Sequence, residues 1–488
     1  MAAIITEKFR VHNAKQFKED FGESASSTYV FIGRSHPWPT DTSPPTPVNG
    51  TSETVDAWSD MTALKKVGSA DVTHGLTRYD WTSGVTYDEY AHDISATNTS
   101  SGSSATSLFA SKFYVMTDEY HVYKCLRTGR ATGGATVAST VKPVGTSATT
   151  LVTTADAGAT MYGYIWKYMY TVTASDTIKF VTNDFIPVKT IGAKAEIDGT
   201  SGALGTTATN DGSSQWDVED QAINGGVHHA IVTAKGSGYT NGDGAYENVP
   251  IVGDGSGGVC TVHVSGNQVT HITVTNPGTG YRNAQVLIAT TTSGLSGIGS
   301  GSGAVVKCII SPQIGHGADP IQELGGNHVI VNSRLEFGEG SGDFPTDNDF
   351  RRIGLVQDPF ATGTTVATAP TMAAFHQMTC SDASDLSVDD IIRSAGTDAA
   401  GVANSRIVSK TGNVVSHIPI ADVAGGFTNF AATNNVFLGS TQKGTVSSVN
   451  AAFPEVVKHS GQILYVENRG AVTRAADQIE DIKLIIEM

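Results

Sequence analysis

Val232-Thr-Ala-Lys-Gly-Ser-Gly-Tyr239 returns as Val274-Thr-Asn-Pro-Gly-Thr-Gly-Tyr281, an offset of 42 residues that keeps the valine, the threonine, both glycines and the tyrosine. An asparagine follows two places after each tyrosine, at Asn241 and Asn283. This is an internal duplication. Each copy reads as a strand, a Gly-x-Gly turn, a return through Val249–Val252 or Ala284–Ala289, a Gly/Ser loop, and a last strand at Val259–Val264 or Ala304–Ile310. Such a unit is a three-stranded β-meander, and two units together can cover one another's apolar faces. The glycines are expected in turns that use positive φ, with Tyr239 and Tyr281 in equivalent places.

The rest of the chain has the same bias. Apolar residues other than glycine make up 39%, and glycine alone fills 54 positions. Strands and turns should therefore outnumber helices. A length of 488 residues allows roughly three domains, each with its own core. The formal charge of −16 opposes the counterion-release attraction that drives non-specific nucleic-acid binding, so no nucleic-acid partner is expected. No apolar run is long enough for a signal peptide or a membrane span, and the chain is expected in a cytosol with no membrane insertion.

Local patterns supply the elements. A helix is expected from Asn13 as cap to Gly22, with Phe17 and Phe21 on one face. Tyr29–Gly33 reads as a buried strand that ends at Pro37. Val55, Trp58, Met61 and Leu64 recur every third residue, which predicts a helix over Glu53–Lys66. Tyr162, Tyr164, Trp166, Tyr168 and Tyr170 occupy alternate positions, so all five should leave one face of a strand, suited to a wet interface or a sheet-to-sheet contact. Leu386–Ile420 reads as a small β module, Gly425–Ser448 as a linker or exposed ribbon, and Gln462–Glu467 and Asp481–Glu487 as closing strands.

Chemistry-bearing patterns are sparse. Cys125, Cys260, Cys308 and Cys380 lie far apart without metal spacing and are expected as buried free thiols. Gly299–Gly303 lacks the Gly-Lys-Ser/Thr of a phosphate loop, and no Gly-x-Ser-x-Gly motif has the flanks of a nucleophile elbow. His228 and His229 would point to opposite faces of a strand, which favours a turn or surface pair over two ligands of one ion. Asp343, Asp347 and Asp349 read as a solvated acidic loop, with a calcium loop as the alternative. No catalytic, cofactor-binding or metal-binding residue is assigned, and no cofactor is expected.

Several segments nonetheless form an ordered series: Thr6-Glu-Lys-Phe-Arg10, Phe31-Ile-Gly-Arg-Ser-His-Pro-Trp38, Asp56-Ala-Trp58, Arg78-Tyr-Asp-Trp81, Val122-Tyr-Lys-Cys-Leu126, Tyr164-Ile-Trp-Lys-Tyr168, and His459 through Glu467-Asn-Arg469 to Asp477-Gln478. The series resembles the dimeric wedge subunit of the baseplate of contractile-tailed, myovirus-type bacteriophages. The resemblance covers 1–190 and 455–488.

It implies a structural virion protein without enzymatic activity: a mainly β, multi-domain chain with antiparallel β-sandwich-like domains, a few short helices and nested insertions. It further implies a homodimer assembled in the host bacterial cytoplasm. That dimer would contact other baseplate wedge proteins, support tail fibres or receptor-binding proteins, and transmit the contraction trigger. In the implied architecture, 1–190 plus 455–488 form the wedge-like core domain and 191–320 an inserted glycine-rich domain. Connecting strands occupy 321–365, and a small β module and linker 366–454. Arg34 and Arg469 then fall where the two ends of the chain meet, as a salt bridge or backbone-carbonyl clamp in preference to a ligand contact, and Trp38 is a candidate structural or interface residue. The competing reading is a tail-associated protein whose interior binds or degrades a host glycan, since paired carboxylates leave no fixed spacing in a sequence.

Overall fold

The structure, a computed structural model, describes residues 4–23, 25–193, 209–239, 242–288, 301–336, 343–475 and 478–488. It is mainly β, with several antiparallel sheets. The chain forms two compact units: residues 1–14, 74–328 and 487–488, and residues 15–73 and 329–486.

The second unit contains a five-stranded sheet in the order Thr371–Ala373, Met61–Lys66, Thr28–Gly33, Asn348–Gln357, Gln462–Arg474. All six residues of Thr28–Gly33 are buried, as a central strand packed on both faces requires. Tyr29, Phe31, Trp58, Met61, Leu64 and Val356 make its core. Gly354 stands against Phe31 and the carbonyl of Tyr465, where a Cβ would not fit.

The helix expected over Glu53–Lys66 covers only Thr51–Asp60, and Met61–Lys66 is a strand. Met61, Ala63 and Leu64 are buried between Thr28–Gly33 and Thr371–Ala373, so tertiary pairing overrides the threefold pattern. The first helix likewise starts earlier than expected, at Glu7, and ends at Asp20. Thr6 rather than Asn13 accepts the hydrogen bond of the first turn, from the Phe9 N–H at 3.3 Å. Phe17 and Phe21 meet edge to face at 5.2 Å.

The same unit holds a closed barrel of His376–Cys380, Val414–Ile420, Asn404–Thr411, Ile391–Arg393, Asn435–Leu438 and Thr441–Val449. Its interior is filled by Met378, Ile392, Ile407, Val415, Val436 and Val446 among others. The run expected as a linker or ribbon therefore supplies the two strands that close the barrel. Only one face of a barrel strand needs to be apolar, and Val436 and Val446 meet that need within an otherwise polar sequence.

These units differ from the domain bounds expected from the motifs. Residues 1–190 are divided between both units, and Gln462–Arg474 pairs along its length with Asn348–Gln357, a strand placed among the connectors. The two ends of the chain do share the five-stranded sheet, but Asn348–Gln357 lies between them.

In the first unit, Tyr114–Met116, His121–Arg127, Ile165–Thr171 and Val152–Thr153 form one sheet, and the duplicated segment forms a module beside its own core. The two copies are not independent meanders. The first strand of copy one, Val227–Ser237, pairs with the last strand of copy two, Ser302–Ile310; the first strand of copy two, Gln268–Thr279, pairs with the last strand of copy one, Ser256–Ser265. Ala230 faces Cys308 as Ile272 faces Val262, and bulges fall at Val305/Val306 and at Val259/Cys260.

Tyr239 and Tyr281 occupy equivalent places, each 2% exposed. The Tyr239 N–H donates to the Asn267 carbonyl at 3.2 Å and the Tyr281 N–H to the Gly225 carbonyl at 3.1 Å. Asn267 and Gly225 both have φ of 63°. Asn241 and 289–300 lie outside the described residues. Cys260 and Cys308 are free, buried members of the module core, and Cys125 and Cys380 are also free and buried.

Gly236 and Gly278, at φ of 61° and 62°, sit where a Cβ would strike the opposite backbone at Ser302–Ala304 and at Ser256–Gly258. Gly266, at φ of 61°, faces open space. Gly266→Ala is expected to cost about 1–2 kcal/mol, the left-handed penalty alone. Gly236→Ala and Gly278→Ala should each add roughly 1–3 kcal/mol of overpacking. Urea unfolding of the three variants checks this, and equal losses would count against the exchanged pairing.

Candidate interaction sites

Three groupings carry the unusual side chains, and each lies within one compact unit. The first surrounds the turn after Thr28–Gly33. Arg34 has φ of 57° and lays its guanidinium 3.6 Å from the Trp38 ring, while its Nη1 reaches Asp60 at 3.1 Å. The Trp38 indole N–H donates to the Arg469 carbonyl at 2.9 Å. Arg34, Trp38 and Arg469 therefore do come together, and the link to Arg469 runs through its backbone. Its own guanidinium pairs with Glu467 at 3.2 Å and stays 45% exposed.

Two further arginines, not singled out in the sequence, hold this turn. Arg352 is 5.6 Å from the Trp38 ring and bridges Glu53 at 2.7 Å and Asp60 at 3.4 Å. Arg351 binds Asp41 and Asp349, both at 2.9 Å, and donates to the Ser35 carbonyl at 2.7 Å. The pair of arginines inside the strand Asn348–Gln357 was the available signal, because successive side chains of a strand serve opposite faces. Asp349 is thereby an ion-pair partner, and Asp343, 3% exposed, accepts from the Thr371 hydroxyl at 2.6 Å; of the three aspartates expected in a solvated acidic loop, Asp347 is exposed and the other two are engaged.

The second grouping is the aromatic strand Ile165–Thr171. Tyr164, Trp166, Tyr168 and Tyr170 are at most 2% exposed; the tyrosine hydroxyls are satisfied within the chain, Tyr164 donating to the Val137 carbonyl at 2.6 Å and Tyr170 to the Pro187 carbonyl at 2.9 Å, while the buried Trp166 indole N–H has no partner among the described residues. A register shift opposite Val122/Tyr123 breaks the alternation after Tyr168. Tyr164, Trp166 and Tyr168 thus share one core, whereas Tyr170 enters another. Tyr162 precedes the strand and stacks with Arg127, 4.3 Å from its ring centre. The strand offers no tyrosine-lined surface to a second chain. Its rings are packed within this one, as amphipathic rings with local acceptors can be.

The third grouping is a buried set of charges. Lys124 and Glu323 pair at 2.8 Å with side chains 0% and 2% exposed, and the ammonium lies 4.1 Å from the Tyr90 ring. Glu323 stands on the short helix Pro320–Leu324, capped by Asp319 and stopped by Gly325 in the left-handed conformation. Its other oxygen accepts from the N–H groups of Gly317 at 2.7 Å and Asp319 at 3.2 Å. Burial pushes the Lys124 ammonium down and the Glu323 carboxyl up from their usual ranges, opposing the attraction between them.

Nearby, Glu89 accepts from the Thr128 N–H and pairs with Arg130, both at 3.1 Å, with His229 at 3.5 Å. Burial alone would raise its carboxyl, but His229, Arg130 and the Thr128 N–H outweigh it and bring it to about 2. His228 faces His316 instead, so the two neighbouring histidines do point apart, but on a strand with His229 buried, not on a turn or an exposed surface. Lys124 and Lys167, each a lysine flanked on both sides by apolar or aromatic residues within its strand, were the signal for this cluster.

Residues 3–198 match the family model Phage-Gp8, described as Bacteriophage T4, Gp8. The chain is also 28% identical over 211 residues to the baseplate wedge protein gp8 of Enterobacteria phage T4, an alignment covering 38% of this chain and 60% of that protein. Both tie the N-terminal region to the baseplate wedge subunit that its motifs resemble. The motif pieces from Thr6 to Tyr168 lie inside the family match; the piece from His459 lies beyond it, and Asp477 lies outside the described residues.

Two outcomes follow from the buried charges. Lys124→Met or Glu323→Gln, by leaving one charge without its partner, should each lose about 3–5 kcal/mol, and the double variant should recover most of that loss. Denaturant unfolding of the three variants checks it. Because the folded-state carboxyl of Glu89 lies below its ordinary 4.5, its contribution is present above that pH and lost as pH falls toward about 2. This amounts to on the order of 3 kcal/mol. Glu89→Gln should flatten the acid limb of a stability-against-pH curve, and an unchanged limb would contradict the assignment.

Proposed function

We propose that this chain is a structural subunit of a phage tail baseplate wedge, acting as a joint between unlike proteins and not as an enzyme. The match of residues 3–198 to the gp8 family model carries this reading, and the 28% identity to the T4 wedge protein supports it. That alignment spans 60% of the relative, so the contacts of the whole assembly are part of the proposal.

The geometry fits a load-bearing part. Charged side chains at the 34–38 turn and around Glu323 are spent on partners within the chain, which holds loops rigidly and leaves them closed to a substrate. The chain self-associates as a two-fold dimer, since one patch used by both copies leaves the opposite ends for different neighbours. With the tyrosine strand buried, the dimer contact falls to other surfaces. The duplicated module and the barrel, both outside the matched residues, lie at the periphery and receive tail fibres or receptor-binding proteins.

A density map of the intact tail is expected to show two copies in each wedge, touching other wedge proteins; a single isolated copy would remove the dimer. In solution, light scattering should give a mass about twice 50.8 kDa. Release of reducing ends from host envelope polysaccharide by the purified protein would replace the scaffold reading with the glycan-degrading one.

A further inference from the structure

A cavity of about 520 Å³ opens in the second unit, walled by Val55, Pro419, Phe427 and Val457 and floored by Lys458 and His376. Its size is that of an ordinary ligand site. The wall is not covered: Phe427 is 59% exposed, Val55 46% and Val457 36%. Lys458 donates to the Ser59 carbonyl at 3.2 Å, and among the described residues no carboxylate lies within ion-pair reach of it. An ammonium has three donors, so two remain for another acceptor. Asp60 is the carboxylate whose charge Lys458 feels, but Asp60 is already bound by Arg34 at 3.1 Å and Arg352 at 3.4 Å.

The positive charge that lines this cavity is that of Lys458. Burial brings the Lys458 ammonium down to about 8. His376 and His417 are held at about 4 and about 3, first by burial and then by neighbouring positive charge that includes Lys458; His459 is lowered in the same way. His417 turns its Nδ1 to the Ser405 hydroxyl at 2.9 Å, and so is engaged away from the cavity. A desolvated cation with spare donors is costly to keep. The group that would relieve it is a carboxylate, and the apolar wall asks for aliphatic neighbours on that carboxylate.

We propose that this cavity docks a short segment of another protein chain in which a carboxylate side chain stands between apolar residues, the carboxylate accepting from Lys458 and the apolar residues covering Val55, Phe427 and Val457. A protein segment, rather than a small acid, fits because the exposed apolar rim extends beyond the floor and needs a longer ligand to cover it. Charge complementarity selects the occupant: Lys458 is the cation that lines the cavity, and His376 beside it, held at about 4, is neutral at pH 7 and offers no competing positive charge.

The test uses the full-length protein and two probes, acetyl-Leu-Glu-Leu-amide and acetyl-Leu-Gln-Leu-amide, titrated by calorimetry with free acetate as a third ligand. The glutamate peptide is expected to bind roughly tenfold tighter than the glutamine peptide, the worth of one hydrogen bond to a charged group. It should also slow reductive methylation of Lys458, read by peptide mass spectrometry. Lys458→Met should abolish the difference between the peptides. Phe427→Ser, at an exposed position that folding does not need, should weaken both.

Equal binding of the two peptides, acetate binding as tightly as the glutamate peptide, wild-type affinity in Lys458→Met, or no binding at millimolar peptide would each overturn the proposal. None of these results touches the wedge reading, which the tail map decides.

Discussion

Asn348–Gln357 can satisfy its backbone on both sides only by taking one neighbour from near the start of the chain and the other from near its end. Thr28–Gly33 and Gln462–Arg474 flank it, in registers where Phe31 meets Gly354 and Tyr465 meets Leu355. Buried N–H and C=O groups must be paired, and that pairing fixes which distant strands lie side by side. The turn at Arg34, the ion pairs of Arg351 and Arg352, and the covering helix Thr51–Asp60 all depend on that strand's position. Arg351 and Arg352 serve its two faces, Arg351 binding Asp41 in the loop after the Arg34 turn and Arg352 binding Glu53 on the helix Thr51–Asp60.

The duplicated module solves a related problem by exchange. Each copy alone would leave its first and last strands as open edges, which are prone to pairing with other chains. Here the first strand of each copy pairs with the last strand of the other, so Tyr239 and Tyr281 lie against glycines of the opposite copy. Gly255 and Gly301 leave room for those rings. The two copies thus share one core, Val227 to Cys308, that neither could form separately.

Burial separates structural aromatics and charges from those free to meet a partner. Trp166 and Tyr164 stack 5.4 Å apart inside one core, and Lys124 reaches Glu323 with no solvent contact. The alternation of the rings had pointed to a wet interface or a sheet-to-sheet contact, whereas the charge pair was not singled out in the sequence. Phe427 and Lys458, within polar or mixed segments, are among those left with exposed area or spare donors.

The sequence by itself determined the local features: the duplication with its positive-φ glycines, the buried strand Tyr29–Gly33, the free thiols, and the motifs tied to the wedge family. These follow from steric limits on φ and ψ, from alternation along a strand, and from residue order, all of which act over a few neighbours. Tertiary structure alone decided that Met61–Lys66 leaves the helix for a sheet, that Thr441–Val449 closes a barrel, and that the alternating tyrosines point inward to two cores. Each of those outcomes depends on which distant strand supplies the hydrogen bonds and which face finds apolar cover. A short window of residues contains neither, because pairing partners and buried faces exist only once remote parts of the chain have met.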